Sequence, residues 1–161
     1  MSRDPSCAER SLAARGSSAG RPQDNTYRRP KSPRSCSVGL CPWLEELRYS
    51  YNTLYCLQPG EDYETTKNVE PIIINSGYRS PAVNKLAGGA KTSNHLSGCA
   101  VDIRCAGKEQ MIRYASILLD IADGTKQDYD ELLLEQHGNV CWLHFAVRPK
   151  DNRRKIEFLK S

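Results

Sequence analysis

The chain lacks any long hydrophobic run. No stretch of ~18 consecutive apolar residues occurs in its 161 residues, so the sequence predicts no membrane span. The first thirty residues also lack the apolar segment of a secretory signal. We therefore expect the chain to start in the cytoplasm.

Paired cysteine motifs are missing as well. The seven cysteines are odd in number and irregularly spaced, and no C-x-x-C pair occurs. Both features argue against a disulfide framework and against an all-cysteine zinc site. We expect reduced thiols, several of them buried as small apolar residues.

Apolar residues are scarce near the start of the chain. Residues 1–40 are rich in Ser, Arg, Pro and Gly and carry eight Lys and Arg against three Asp and Glu. Such a composition cannot bury enough apolar surface to offset the entropy cost of ordering. The sequence therefore predicts a disordered basic tail over residues 1–40 and a single folded domain over residues 41–161.

The positive charge of the chain lies in this tail. The tail carries +5 and the whole chain +4, which leaves −1 for residues 41–161. This distribution favours a solvated tail and predicts no nucleic-acid partner for the folded domain. Salt-dependent nucleic-acid binding through the tail is the alternative.

Apolar spacing and turn residues predict the order of helices and strands. Helical periodicity marks two long segments, and Ser80 followed by Pro81 is typical of a helix start. Two apolar runs around His-Gly-Asn indicate a hairpin. Because helices and strands do not alternate strictly, the pattern favours an α+β fold with a small, mostly antiparallel sheet and flanking helices. The predicted elements are a helix over 42–57, a loop over 58–71, a buried strand over 72–75, a short helix over 81–87, a strand over 100–105, a helix from 111 to 124, a hairpin over 131–147 and a basic C-terminal segment with a helical turn.

Two of the three histidines and one aspartate form a possible metal site. His95 and Asp102 are seven residues apart, and a turn at Ser97 and Gly98 lets their side chains meet. His144 lies within an apolar strand, where a buried ring needs partners for its nitrogens. Hydrolytic zinc sites use three such ligands. On spacing alone, an ordinary turn and a core histidine explain these residues equally well.

A longer motif favours the metal site. The stretch INSGYRSPAVNKLAGGAKTSNHLSGCAVDI, followed some forty residues later by WLH, resembles the zinc D-Ala-D-Ala carboxypeptidase family of bacterial cell-wall peptidases, which has the hedgehog/D-Ala-D-Ala-peptidase zinc fold. The resemblance covers about residues 71–148. It implies that His95, Asp102 and His144 bind Zn²⁺ and that Arg79 contacts the substrate. Ser93 is expected beside the site, either contacting the substrate or supporting a metal ligand. A guanidinium suits a peptide carboxylate because it binds both oxygens.

The chain departs from the family pattern at two cysteines. Cys99 replaces a glutamate between the first two ligands, and its thiol could compete for the metal. Cys141 stands three residues before His144, where better-studied members have the catalytic glutamate. We expect Glu135 to act as the base in its place, because an even-length hairpin loop would point it towards the metal side of the strand. Asp128, Asp130 and Glu131 are weaker candidates for the base, and His137 is predicted to face solvent.

Together these features predict a monomeric zinc peptidase acting on peptidoglycan stem peptides, at or next to D-Ala. Its site of action would then be the cell wall. The sequence leaves carboxypeptidase and endopeptidase activity open. The alternative is a module of the same fold that binds zinc without catalysis.

Overall fold

A five-stranded sheet with two long helices on one face forms the part of the chain that the computed structural model describes, residues 39–160. The strand order is β1-β2-β4-β3-β5, and every pairing is antiparallel except that of β3 with β5. The predicted α+β fold is therefore confirmed. The helices are α1 (Leu40–Tyr51), α2 (Pro81–Leu86) and α3 (Lys108–Thr125), with a π turn at Asn52–Cys56 and a 3-10 turn at Asn94–Ser97. The strands are β1 (Ile74–Ser76), β2 (Ala100–Cys105), β3 (Glu131–His137), β4 (Val140–Ala146) and β5 (Lys155–Lys160).

The two faces of the sheet differ because side chains alternate along each strand. In β4, Leu143 and Phe145 belong to the apolar core under the helices, whereas Trp142 and His144 point to the other face. The same alternation in β2 separates Ile103 from Asp102. One face thus supplies the core, and the other is left for polar side chains.

The helices cover the apolar face through residues three and four apart. Trp43, Leu47 and Tyr51 of α1 are buried, and the Trp43 ring lies 5.2 Å from that of Phe145. Tyr51 meets Tyr114 of α3 edge-on at 4.8 Å. Within residues 39–160 no helix is long and apolar enough to cross a membrane.

The predicted tail lies almost wholly outside the described residues. Its last residue, Leu40, is instead the first residue of α1 and belongs to the buried core. The folded segment therefore includes at least one residue that the sequence analysis assigned to the tail.

The prediction of a buried strand over residues 72–75 is wrong in position and in burial. β1 spans Ile74–Ser76 at the edge of the sheet, and Ile73 and Ile74 are 47% and 40% exposed. An edge strand has a neighbouring strand on one side only. The β-branched run was a correct sign of a strand but not of burial.

The helical turn predicted near the C-terminus is also wrong, because this segment forms β5. After β4 the chain reverses through Asp151 and Arg154, both in the left-handed region. The Asn152 side chain closes this turn by accepting from the Arg148 amide at 2.8 Å and donating to the Arg148 carbonyl at 2.9 Å. β5 then runs parallel to β3, which places Arg153 beside the start of β3.

Asp130 fastens this turn to the sheet. Its carboxylate is fully buried and accepts from Nε and Nη2 of Arg153 at 2.8 and 2.7 Å and from Nδ2 of Asn94 at 2.7 Å. Burial alone would raise the pKa of Asp130, but the hydrogen bonds from Arg153 and Asn94 lower it to about 2. The ionised carboxylate is therefore the form that the fold requires.

We expect Asp130→Ala to lower the free energy of unfolding by ~3 kcal/mol at pH 7, because it removes the buried one of the two carboxylates that Arg153 and Asn94 share. Since the folded pKa lies below the unfolded value of 3.8, this contribution is complete above about pH 4 and is lost as the pH falls towards 2. Denaturant unfolding of the variant and the wild-type chain across this pH range measures both effects.

Asp128→Ala is the matched control. Asp128 is exposed and pairs with Arg154 on the surface, so its loss should change stability by less than ~1 kcal/mol. Equal losses in the two variants would show that Asp130 does not hold the turn.

Candidate metal centre

Three side chains meet on the polar face of the sheet: His95, Asp102 and His144. Asp102 on β2 and His144 on β4 are directly opposite each other across the strand pair. His95 arrives from the 3-10 turn, which ends at Gly98 with a left-handed φ of 70°. The turn that the sequence predicted between His95 and Asp102 is thus present, and Gly98 adopts its backbone conformation without strain.

The three ligand atoms form a small triangle. His95 Nε2 lies 3.2 Å from Asp102 Oδ1 and 3.2 Å from His144 Nδ1, and these last two atoms are 2.9 Å apart. A tetrahedral ion with bonds of 2.0–2.1 Å separates its ligands by about 3.3 Å, so one metal ion fits the triangle. All three residues are buried, and they form the one group of this kind found among the described residues.

Neighbouring groups orient two of the ligands. Nδ1 of His95 lies 2.6 Å from the carbonyl of Gly77, so this nitrogen donates its proton there and leaves the Nε2 lone pair facing the triangle. Nη2 of Arg79 donates to Oδ2 of Asp102, which leaves Oδ1 for the metal. Nε of Arg79 donates in turn to Oγ of Ser76 at 2.7 Å.

Asp102 is held in its charged form. Burial alone would raise its pKa, but the contacts of its carboxylate with the His144 and His95 rings keep the pKa well below its usual range. A carboxylate must be deprotonated to bind a metal. The site therefore has the donor chemistry of a metal centre.

Glu135 lines the same cavity, which has a volume of about 720 Å³ and the three ligands in its wall. The hairpin turn is the two residues between β3 and β4, so Glu135 pairs with Trp142 and faces the same side as His144. Burial and the charge of Asp102 raise the pKa of Glu135, against the opposing effects of His144, Trp142 and Arg79. The structure thus brings Glu135 to the metal side, as the even-length loop predicted.

The two cysteines that break the family pattern are not among the metal-binding group. Cys141 belongs to the buried core under the helices, on the face opposite His144. A carboxylate there would be buried among apolar side chains, so a base must come from another strand. Cys99 is buried, and its sulfur lies 3.7 Å from the carbonyl of Ser97.

Arg79 and Ser93 both line the cavity. Ser93 also caps the 3-10 turn, with its hydroxyl 3.3 Å from the backbone nitrogen of His95. Asp128 is exposed and paired with Arg154, and Asp130 is buried under Arg153, so neither lines the cavity.

Sequence reasoning named Asp130 and Glu131 only as weaker candidates for the base and missed the polar cluster that they form with Asn94 and Arg153 on the far side of His144. Glu131 and Arg153 line the cavity, and Asn94 lies between Glu131 and Asp130. The four-residue spacing of Glu131 and Glu135 on a strand was a signal that both face the cavity. Arg153 could not be found this way, because its segment was not identified as leading into a strand.

A protein-family model described as Peptidase M15 matches residues 61–129. The match includes Arg79, His95 and Asp102 and ends before the hairpin that carries Glu135 and His144. The resemblance inferred from the sequence is confirmed over this segment, and it supports a metallopeptidase. No curated protein matches the chain.

Protein supplied with zinc should hold about one ion per chain, and alanine at His95, Asp102 or His144 should each remove it, because two ligands bind much more weakly than three. Metal analysis after dialysis measures the content. His137→Ala, at the exposed end of the hairpin, is the control and should retain the metal. Full zinc content in all three ligand variants would contradict the site.

Proposed function

Because residues 61–129 carry the sequence pattern of the M15 peptidases, we propose that this chain is a zinc-dependent peptidase that hydrolyses peptidoglycan stem peptides at or next to D-Ala. The observation that carries the proposal is the triangle of His95, Asp102 and His144 in the wall of a cavity that Glu135 also lines. A volume of about 720 Å³ suits a short peptide.

His95, Asp102 and His144 would hold the zinc ion, which would supply a Lewis acid for polarising a peptide carbonyl and acidifying water. Glu135 supplies the base: its carboxylate accepts the proton of the attacking water and passes it to the leaving amine. The raised pKa of Glu135 lies closer to the pH at which the enzyme would work, so the carboxylate accepts and releases a proton more easily.

Arg79 and Ser93 orient the peptide. Nε and Nη2 of Arg79 are fixed by Ser76 and Asp102, and Nη1 makes no hydrogen bond to residues 39–160. A guanidinium braced in this way presents its remaining donors to a substrate carboxylate or carbonyl without a large loss of side-chain entropy. The Ser93 hydroxyl stands at the rim of the same cavity.

The proposal includes a partner and a place of action. The partner is a peptidoglycan peptide, and the place of action is the cell wall. The protein acts as a monomer and does not bind nucleic acid. Incubating zinc-loaded protein with defined muropeptides and weighing the products by mass spectrometry tests this. Loss of a terminal D-Ala would identify a carboxypeptidase, and cleavage within the stem peptide an endopeptidase.

Glu135→Gln should retain the fold and the zinc but lose ~100-fold or more in turnover, because the amide cannot accept the proton. The measurements are turnover on the muropeptide that the wild-type chain cleaves and zinc content by metal analysis. Glu157→Gln is the matched control: it also removes a carboxylate from this face of the sheet but does not line the cavity, and it should leave turnover unchanged.

Wild-type turnover in Glu135→Gln would show that Glu135 is not the base and that another carboxylate has this role. A wild-type chain that holds zinc but cleaves no muropeptide would support the non-catalytic alternative.

Arg79→Lys should keep about one zinc per chain while lowering kcat/KM by ~10- to 100-fold, since a charged hydrogen bond contributes about 1.5–3 kcal/mol. Steady-state kinetics on substrates with a free carboxylate, with zinc titrations in parallel, measure both quantities. Arg104→Lys is the control, because Arg104 shares a face of β2 with Asp102 but does not line the cavity. It should leave kcat/KM and zinc binding at their wild-type values. Weaker zinc binding with unchanged KM would restrict Arg79 to holding Asp102.

A further inference from the structure

His144 has a carboxylate beside the nitrogen that faces away from the triangle. Its Nδ1 is the ligand atom, and Nε2 lies 3.6 Å from Oε2 of Glu131. Both residues lie on the cavity side of the sheet, where the Glu131 side chain is 17% exposed. When Nδ1 binds a metal, the proton of a neutral ring is on Nε2, which then points at a negative charge.

Glu131 is itself fixed from two sides. Nδ2 of Asn94 donates to Oε2 at 2.9 Å, and Nη2 of Arg153 contacts Oε1 at 2.8 Å. Both donors are also bound to the buried carboxylate of Asp130. The position of Glu131 is therefore set by an anchor outside the cavity.

Asn94 connects this anchor with the first ligand, because it directly precedes His95 in the 3-10 turn. One amide nitrogen thus bridges Asp130 and Glu131 at 2.7 and 2.9 Å while its backbone positions His95. One network therefore reaches both imidazoles of the triangle, His95 through the backbone of Asn94 and His144 through the 3.6 Å contact of its Nε2 with Glu131.

We propose that Glu131 is a positioning residue for His144: it holds the ring with Nδ1 towards the metal and raises the basicity of that nitrogen. A carboxylate behind a ligating histidine does both, and its loss commonly weakens metal binding 10- to 100-fold. The proposal rests on the metal site of the proposed function but does not require peptide hydrolysis.

Glu131 and Glu135 have different tasks in this arrangement. Both oxygens of Glu131 are engaged, one by Asn94 and one by Arg153. For Glu135 the hydrogen-bonding partner is Trp142, and burial raises its pKa. The fixed, fully paired carboxylate of Glu131 suits the orientation of a ligand. The carboxylate of Glu135, whose pKa is raised, suits proton transfer.

The test measures zinc affinity by competition with a chromophoric chelator in the full-length chain. Glu131→Gln keeps the size of the side chain and removes its charge, and it should raise the zinc Kd by ~10- to 100-fold. The visible spectrum of the cobalt-substituted protein should change as well, because the ring orientation alters the ligand field. Glu157→Gln, one strand away on the same face, should change neither.

Asn94→Ser is a second variant in case Glu131→Gln does not fold. It removes the hydrogen bond to Oε2 of Glu131 and should therefore raise the zinc Kd by a smaller factor than Glu131→Gln does. In the double variant the two effects should be less than additive, because both act through one network.

An unchanged zinc Kd and cobalt spectrum in folded Glu131→Gln would overturn the proposal. Loss of turnover at unchanged zinc affinity would also overturn it, since Glu131 would then act on the substrate. A wild-type chain that binds zinc without cleaving peptides would refute the peptidase function and leave the zinc affinities as the test of Glu131.

Discussion

The pairing of Asp102 with His144 is the constraint on which the site depends. The two residues face each other across adjacent strands in the interior of the sheet, so the register between β2 and β4 fixes their separation. A shift of β4 by one residue would turn His144 to the face opposite Asp102. Ile103 and Leu143, the next pair in this register, are completely buried under the helices, and their burial opposes any such shift.

The apolar face of the sheet therefore supports a polar arrangement that is costly by itself. Burying a carboxylate between two imidazoles is unfavourable unless charge and hydrogen bonds are balanced. Here Arg79 pairs with Asp102, and the carbonyl of Gly77 accepts from His95. The remaining nitrogen and oxygen atoms face one another across the triangle, where the group could hold a metal ion.

Much of this could be predicted from the sequence, because local patterns determine it. The alternation in β4 and an even-length hairpin loop place His144 and Glu135 on one face by parity, and the turn at Gly98 was also predicted. Asp102 joins them through the pairing of β2 with β4, which the sequence did not predict. The limits of β2 were predicted to the residue. Helix starts such as Ser80 were visible because capping is a local effect.

What could not be predicted depends on contacts between distant residues. Nothing near Ile72–Ile74 indicates that the strand lies at an edge, because exposure depends on which strands and helices lie beside it. Nothing near Arg153 indicates a salt bridge to Asp130, and β5 is stabilised by pairing with a strand some twenty residues earlier. Propensity alone cannot detect such tertiary effects.

The scatter of the metal-centre residues along the chain has a consequence for biosynthesis. His95 and Asp102 leave the ribosome well before His144, and Arg153 follows later still. A nascent chain that ends before β4 has two of the three ligands on a sheet that lacks an inner strand, and it cannot retain an ion tightly. Capture of a metal ion by these residues would then be a late event in maturation, and a bound ion would stabilise only chains whose central strands have already paired.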